Sequence, residues 1–236
     1  MEAFEKILTD GMNKFDIELN EIQLAKFKAY CQLLLEWNRK FNLTAIKEPN
    51  EIAIKHFVDS CTILHYVNIK QNAKIIDVGT GAGFPGIPLK IIRDDIEITL
   101  LDSLSKRIVF LNEAAEQLGI SVSTIHGRAE DLGRNESYRQ SFDIAVSRAV
   151  APLNVLSEYC IPLVRKGGKF ISMKGPNVQE ETDTARKGVK ILGGRFNNIV
   201  QFRINGNGRS IVIIDKVSDT PFTYPRHGSK ISKKPL

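Results

Sequence analysis

Three glycines and two aspartates carry the chemistry that is easiest to read in this chain. Gly79, Gly81 and Gly83 recur at every second position after the apolar run Ile75-Ile76-Asp77-Val78, and Phe84-Pro85-Gly86 follows at once. The pattern predicts a buried strand, a tight turn and the first turn of a helix. Glycines in such a turn bring main-chain N–H groups close to a ligand, and Pro85 suits the first helical position, where its missing N–H costs little. Asp77 stands near the strand's carboxyl end, where open α/β sheets place their ligands. Asp102 closes the next apolar stretch, 23 residues after Gly79. An acid at that place can accept hydrogen bonds from both hydroxyls of an adenosine ribose. The chemistry is therefore the holding of a nucleoside-type cofactor.

The spacing fits two cofactors. Gly81-Ala-Gly83-Phe-Pro-Gly86 matches the dinucleotide pattern G-x-G-x-x-G. Asp77-Val-Gly79-Thr-Gly81-Ala-Gly83 matches the acid-h-G-x-G-x-G pattern of S-adenosylmethionine methyltransferases. Electrostatics separates them: a pyrophosphate is repelled by a carboxylate at the strand tip, whereas S-adenosylmethionine has no phosphate and carries an ammonium and a sulfonium. The same sheet edge collects basic residues from later loops. Arg128 lies in His126-Gly127-Arg128-Ala129-Glu130-Asp131, whose backbone or acids could read an adenine edge; Arg148 follows the fourth strand, Lys174 the fifth, and Arg209 opens the last. These predict a positive mouth for phosphates or a base edge.

These residues need a frame, and the chain supplies one in two rhythms. Residues 1 to about 70 read as helical. Phe4, Ile7 and Leu8 repeat at helix spacing, and Gly11 is expected to end that segment. Asn20 and Gln23 form a capping-box pair. Phe27, Tyr30, Cys31, Leu34, Leu35, Trp37, Asn38 and Phe41 then trace one face, read as core. Another helix is expected from Pro49-Asn50; on it His56 and Asp59 are read as a structural contact rather than a catalytic pair, since no nucleophile lies nearby in sequence. From Ala73 strands and helices alternate, the mark of a mostly parallel sheet. Strands are predicted near 74–78, 96–101, 121–125, 142–146, 168–173, 196–204 and 210–217, with helices over 85–92, 105–118, 152–164 and 178–191. Asn205-Gly206-Asn207-Gly208 joins the last two as a hairpin, so the sheet ends antiparallel.

Composition bounds the rest. The 236 residues are 42% hydrophobic and 25% charged, with a formal net charge of +6, and a pI near 9.2 points to an anionic partner such as nucleic acid. No apolar run approaches a membrane span, no secretory signal is seen, and three scattered cysteines suit neither a disulfide framework nor a zinc site. A cytoplasmic protein without a metal is expected. The end, from Thr220 on, carries Arg226, Lys230, Lys233 and Lys234 with no acid after Asp219, and is read as a basic arm for a phosphate backbone.

Several of these stretches together resemble a known family. They are Asn42-Leu-Thr-Ala-Ile46, His56-Phe-Val-Asp-Ser60, Asp77 through Leu89, Asp102-Ser-Leu-Ser-Lys-Arg107, Arg128-Ala-Glu130, Ser147-Arg-Ala149, Lys174-Gly175, Tyr224-Pro-Arg226 and the final Pro235-Leu236. From about residue 36 the chain resembles the bacterial 16S ribosomal RNA (guanine-N7) methyltransferases, the RsmG or glucose-inhibited-division-B family. The resemblance implies a class I S-adenosylmethionine-dependent methyltransferase: an α/β protein with a Rossmann-like seven-stranded sheet whose last strand is antiparallel. It would comprise a helical segment 1–70, the methyltransferase domain 71–218 and a basic tail 219–236. It implies S-adenosylmethionine as cofactor and a guanine of the decoding region as acceptor, with 16S rRNA, the small ribosomal subunit or its assembly intermediate as partner; a monomer is expected. It places Gly79, Phe84, Ala129, Glu130 and Arg148 at the cofactor, beside the Gly81, Gly83 and Asp102 argued above; the basic rim and tail residues Arg128, Lys174, Arg209 and Arg226 are then expected on RNA. An NAD-dependent oxidoreductase and a non-catalytic RNA- or ribosome-binding protein are the rival readings.

Overall fold

Side chains along a strand point alternately to the two faces of a sheet, and here both faces are apolar. In the computed structural model, which describes residues 2–236, Ile75, Ile144, Val146 and Ile171 enter one core, while Ile76, Ala145, Phe170 and Val212 enter the other. Strands buried on both sides need helices on both sides.

The strands are β1 (Lys74–Val78), β2 (Glu97–Asp102), β3 (Ser123–His126), β4 (Phe142–Arg148), β5 (Val164–Lys174), β6 (Gly194–Ile204) and β7 (Asn207–Lys216). They form one sheet in the order β3-β2-β1-β4-β5-β7-β6. β1 to β5 pair in parallel, and β7 runs antiparallel between β5 and β6. This is the Rossmann-like, seven-stranded α/β architecture of class I methyltransferases, with the hairpin expected from Asn205 to Gly208. The loops that follow β1, β2, β3, β4 and β5 share the carboxyl edge.

One face is covered by α1 (Glu2–Asn13), α2 (Glu21–Phe41), the continuous helical run α3 (Pro49–Ile52), π-segment (Ala53–Val58) and α4 (Asp59–Tyr66), then α5 (Gly86–Ile92) and α6 (Ser105–Gln117). Phe4, Leu8, Phe27, Tyr30, Leu34 and Phe57 share a single core with Ile75, Leu100 and Phe110, so the first 70 residues form a layer of the sheet's own core. Asn20 and Gln23 make the expected reciprocal capping box. Gly11 does not end α1. It lies inside the helix against the π-segment, where a Cβ would come within 2.7 Å of Val58 Cγ2; a missing side chain serves close helix packing here, not termination.

The other face carries α7 (Ala129–Leu132), α8 (Leu153–Cys160) and α9 (Gln179–Ile191). The helix expected over 152–164 stops earlier, because Ile161–Leu163 tightens into a 3₁₀ turn around Pro162 and Val164 already belongs to β5.

The tail is not an arm. It folds back across this face and ends in α10 (Gly228–Lys233), with Ile231 fully buried and Leu236 against Gly188 of α9. Arg139 donates to the carbonyls of Thr220, Tyr224 and Gly133 at 2.6, 2.7 and 2.8 Å, and Arg134 donates to that of Pro225 at 2.7 Å. Arg226, expected on RNA, instead forks onto Glu158 with bonds of 2.9 and 2.7 Å and adds its own N–H at 2.7 Å. Glu158 is completely buried. A carboxylate there requires a cation, which is why this tail arginine turns inward.

Breaking a buried pair leaves an uncompensated charge. Arg226→Leu should therefore lower unfolding free energy in urea by about 3–5 kcal/mol, and Arg226→Leu with Glu158→Leu should recover most of that loss. An unchanged urea midpoint for the single variant would contradict the assignment.

Candidate active site

The turn after β1 is built from both sides. Gly81 takes φ +63° and faces open space, with nothing within 4 Å of where a Cβ would stand; the backbone forms the wall of a cavity that a side chain would fill. Beneath the turn, Asp77 is completely buried. Its Oδ2 accepts from Thr80 Oγ1 at 2.7 Å and from Gly86 N at 2.8 Å. Burial pushes its pKa up to about 6, against the pull of those two bonds and of Arg148. Asp77 thus shapes the loop from below and does not face a ligand. From α2, the Tyr30 hydroxyl donates to the Ala82 carbonyl and clamps the turn from the side.

Asp102 is the acid that faces the cavity. Its Oδ2 accepts from Gly81 N at 2.9 Å and from Arg107 Nη1 at 3.0 Å, while Oδ1 accepts from Leu104 N at 3.0 Å. A cavity of about 420 Å³ opens in front of it, walled by Gly79–Ala82, Phe84, Thr44, His56, Arg148 and Val150. A smaller one of about 140 Å³ adjoins it at Gly79, Asp102, Ser103 and Val150, and continues past Gly127, Arg128, Ala129, Glu130 and Tyr159. A third, of about 570 Å³, adjoins on the other side at His56, Arg148, Ala149 and Val150. Its walls include Lys55, Asp59, Met173, Lys174, Phe202, Arg209 and Ser210. Three chambers thus stand in a row, with Asp102 at one joint and Arg148 at the other.

Arg148 is held on every side. Nη1 donates to Asp59 Oδ2 at 3.0 Å and to the Lys55 carbonyl at 3.1 Å, and Nη2 donates to His56 Nδ1 at 3.1 Å. Its guanidinium lies 4.9 Å from the centre of the Phe84 ring, on which His56 stacks at 4.5 Å. Asp59 also accepts from Arg209 Nε at 2.8 Å through its other oxygen. His56 and Asp59 are a structural pair, as the sequence suggests, and what they hold is the arginine between two chambers. They come from the junction of the π-segment and α4, a kind of irregularity frequent at functional sites. Burial, and then the neighbouring Arg148, push the His56 pKa down to about 3, so its ring is neutral.

The predicted residues divide accordingly. Gly79, Gly81, Phe84, Asp102 and Arg148 line the middle chamber, and Arg128, Ala129 and Glu130 the small one. Gly83 lies under the turn, against Ile87 and Tyr30. Arg148, Lys174 and Arg209 line the large chamber, but Lys174 is spent on the Ala151 carbonyl and Glu181, both at 2.7 Å. It orders the loop after β4 and offers little to a phosphate. Arg128 lies 4.0 Å from Glu130 but keeps its side chain 70% exposed. Arg226 is in none of the chambers. Thr44, Arg107 and Val150 line the site without having been singled out; Thr44 and Arg107 lie within motif stretches, and Val150 had no signal beyond its place after β4.

Comparison with known proteins agrees with this geometry. A family model described as rRNA small subunit methyltransferase G (GidB) matches residues 23–212. The ribosomal RNA small subunit methyltransferase G of Desulforamulus reducens is 48% identical, covering 97% of both chains. That of Clostridium perfringens is 47% identical over the whole of both. Among solved structures, TrmN from Thermus thermophilus superposes with a TM-score of 0.54 at 15% identity, covering 68% of this chain and 48% of its own, a likeness of fold.

The neutral imidazole gives a test in acid. His56 holds its pKa near 3 in the folded chain against about 6.5 when unfolded. The unfolded chain therefore binds the extra proton as pH falls below 6.5, and stability is lost over that window. Urea titrations from pH 7 to 5 should show a steeper loss for the unaltered protein than for His56→Gln, which keeps an acceptor for Arg148 and a donor for Thr44. Parallel curves would refute the assignment.

Proposed function

We propose, from the premise that this chain belongs to the rRNA small subunit methyltransferase G family, that it methylates N7 of a guanine in the decoding region of 16S rRNA. The observation that carries this reading is the row of chambers: a nucleoside-sized pair joined at Asp102, opening past Arg148 onto a third large enough for a base. The residues present fit S-adenosylmethionine. Asp102 offers carboxylate oxygens where a ribose diol would sit, the exposed backbone at Gly81 makes a cradle that a Cβ would fill, and Ala129 and Glu130 wall the small chamber for an adenine. When bound, S-adenosylmethionine supplies an electrophilic methyl group.

The acceptor's chemistry matches what the large chamber lacks. Guanine N7 carries a free lone pair in the neutral base, so no residue has to remove a proton. None of the described residues lining that chamber is poised to: Asp59 is engaged by two arginines, His56 Nδ1 by Arg148, and Glu181 by Lys174 and the Leu153 N–H. The protein's work is to exclude water and hold the base in place. Arg128, the most exposed of the cations lining the chambers, supplies positive charge for phosphates, and Arg209, which shares Asp59 with Arg148, presents its guanidinium to the RNA at the chamber wall. Lys174 and Arg226 have structural work and are set aside as RNA contacts. No helix among the described residues is long and apolar enough to cross a membrane. A cytoplasmic monomer acting on the small subunit or its assembly intermediate is in keeping with this reading.

The test is methyl transfer from labelled S-adenosylmethionine to small-subunit RNA that lacks the modification, with the labelled base mapped. Label at guanine N7 is expected, with a rate independent of pH between about 6.5 and 8. Label elsewhere, or an essential deprotonation in that window, would overturn the mechanism. Asp102→Ala should weaken S-adenosylhomocysteine binding in calorimetry at least about tenfold, since hydrogen bonds to a charged group are lost.

A further inference from the structure

The middle chamber has a wall from the first 70 residues. That wall is Thr44, and its side chain is more completely specified than its half-buried position demands. Asn38, itself buried, grips the Thr44 backbone from both sides: its amide donates to the Thr44 carbonyl at 2.9 Å and its oxygen accepts the Thr44 N–H at 2.9 Å. Oγ1 lies 2.8 Å from His56 Nε2 and accepts the Ile46 N–H at 3.1 Å.

The direction of every proton but one then follows. An arginine can only donate, so His56 Nδ1, 3.1 Å from Arg148 Nη2, is the accepting nitrogen. The proton of the neutral ring is on Nε2, and the His56–Thr44 bond runs from ring to hydroxyl. Oγ1 thereby accepts twice, from Nε2–H and from the Ile46 N–H, and both its lone pairs are used. The hydroxyl proton is left over. No acceptor for it occurs among the described residues, and the space before it is the cofactor chamber.

The order of the chambers says which part of a ligand arrives there. With a ribose at Asp102 and an adenine beside Ala129 and Glu130, the amino-acid end falls to the opposite joint, where Thr44, His56 and Arg148 meet. The one anionic group of such a ligand is its α-carboxylate. Resting on the cofactor reading above, we propose that the Thr44 hydroxyl donates its free proton to the carboxylate of the cofactor's methionyl end, beside the positive Arg148. Asn38 and His56 act as positioning residues: the first fixes the Thr44 backbone, and the second fills the oxygen's lone pairs so that it can only donate.

Two ligands separate this contact from a general disturbance of the loop. S-adenosylhomocysteine has the amino-acid end; 5′-methylthioadenosine lacks it and keeps the adenine, ribose and sulfur. Calorimetry on the full chain should give Thr44→Val about tenfold weaker S-adenosylhomocysteine binding, with 5′-methylthioadenosine unchanged within about twofold. Thr44→Ser, which restores the donor, should bind both as the unaltered protein does. Thr44→Cys keeps the size with a weak donor; it should repeat the split and serves in place of the valine variant if that one does not fold. Equal weakening of both ligands, or of neither, overturns the assignment. An unaltered protein that binds neither ligand overturns the cofactor reading itself, and the assignment with it.

Discussion

The site depends on one buried cation. Arg148 ends β4 at the carboxyl edge, its side chain only 13% exposed. A guanidinium so far out of water needs its charge and donors met. The sheet does not meet them. The partners come from the π-segment and the start of α4: the Lys55 carbonyl, His56 Nδ1 and the Asp59 carboxylate. The helical layer and the sheet are therefore tied by electrostatics at the point where they are also joined by the Phe57, Phe84 and Tyr30 aromatic cluster. Arg148, so fixed, stands between the middle and large chambers, and the Val150 that follows borders all three.

The acids show how similar residues acquire opposite tasks. Asp77 and Asp102 both close a strand of the same sheet near the same edge. Asp77 lies under the turn, where burial lifts its pKa to about 6 and its oxygen organises Thr80 and Gly86. Asp102 lies at the wall of two chambers, with Gly81 N and Arg107 as partners that a diol could join or replace. Asp77, shielded by its own loop, therefore bears less on the choice between a pyrophosphate and a sulfonium than its place in the sequence suggests, and Asp102, which suits the ribose of either cofactor, does not decide it.

What the sequence makes legible is what depends on local pattern. The alternation of strands and helices, the glycine turn, the Asn20 capping box and the hairpin at Asn205–Gly208 all depend on neighbours within a few residues. The spacing of Asp102 from Gly79 is a property of one βαβ unit, and it survives for the same reason. Charge partnership is another matter. Lys174 and Arg226 look like free cations because their partners, Glu181 and Glu158, are apart in sequence and their pairing depends on tertiary packing. Gly11 reads as a helix stop because the helix it must let approach, around Val58, is invisible from its own neighbourhood. Four-residue α7 and the tail helix α10 are too short for a periodic signal, and α10 is held by packing and by the charge on Glu158.

A basic protein is thus less basic at its mouth than its composition suggests, and this bears on the chemistry. Of the cations on the rim, Lys174 is neutralised by Glu181, and Arg148 and Arg209 share Asp59. On the proposed reading a guanine becomes cationic at the moment its N7 accepts a methyl group, so an uncompensated cation at the joint would oppose the reaction. Asp59, 3.0 Å from Arg148 and 2.8 Å from Arg209, offsets one of those two positive charges, so the guanidiniums shape the chamber and donate hydrogen bonds with part of their charge compensated. The long-range attraction for RNA is then left to exposed side chains such as Arg128, away from the reacting atoms. The charge left at the joint and at the rim follows from where the acids are, not from how many bases the chain contains.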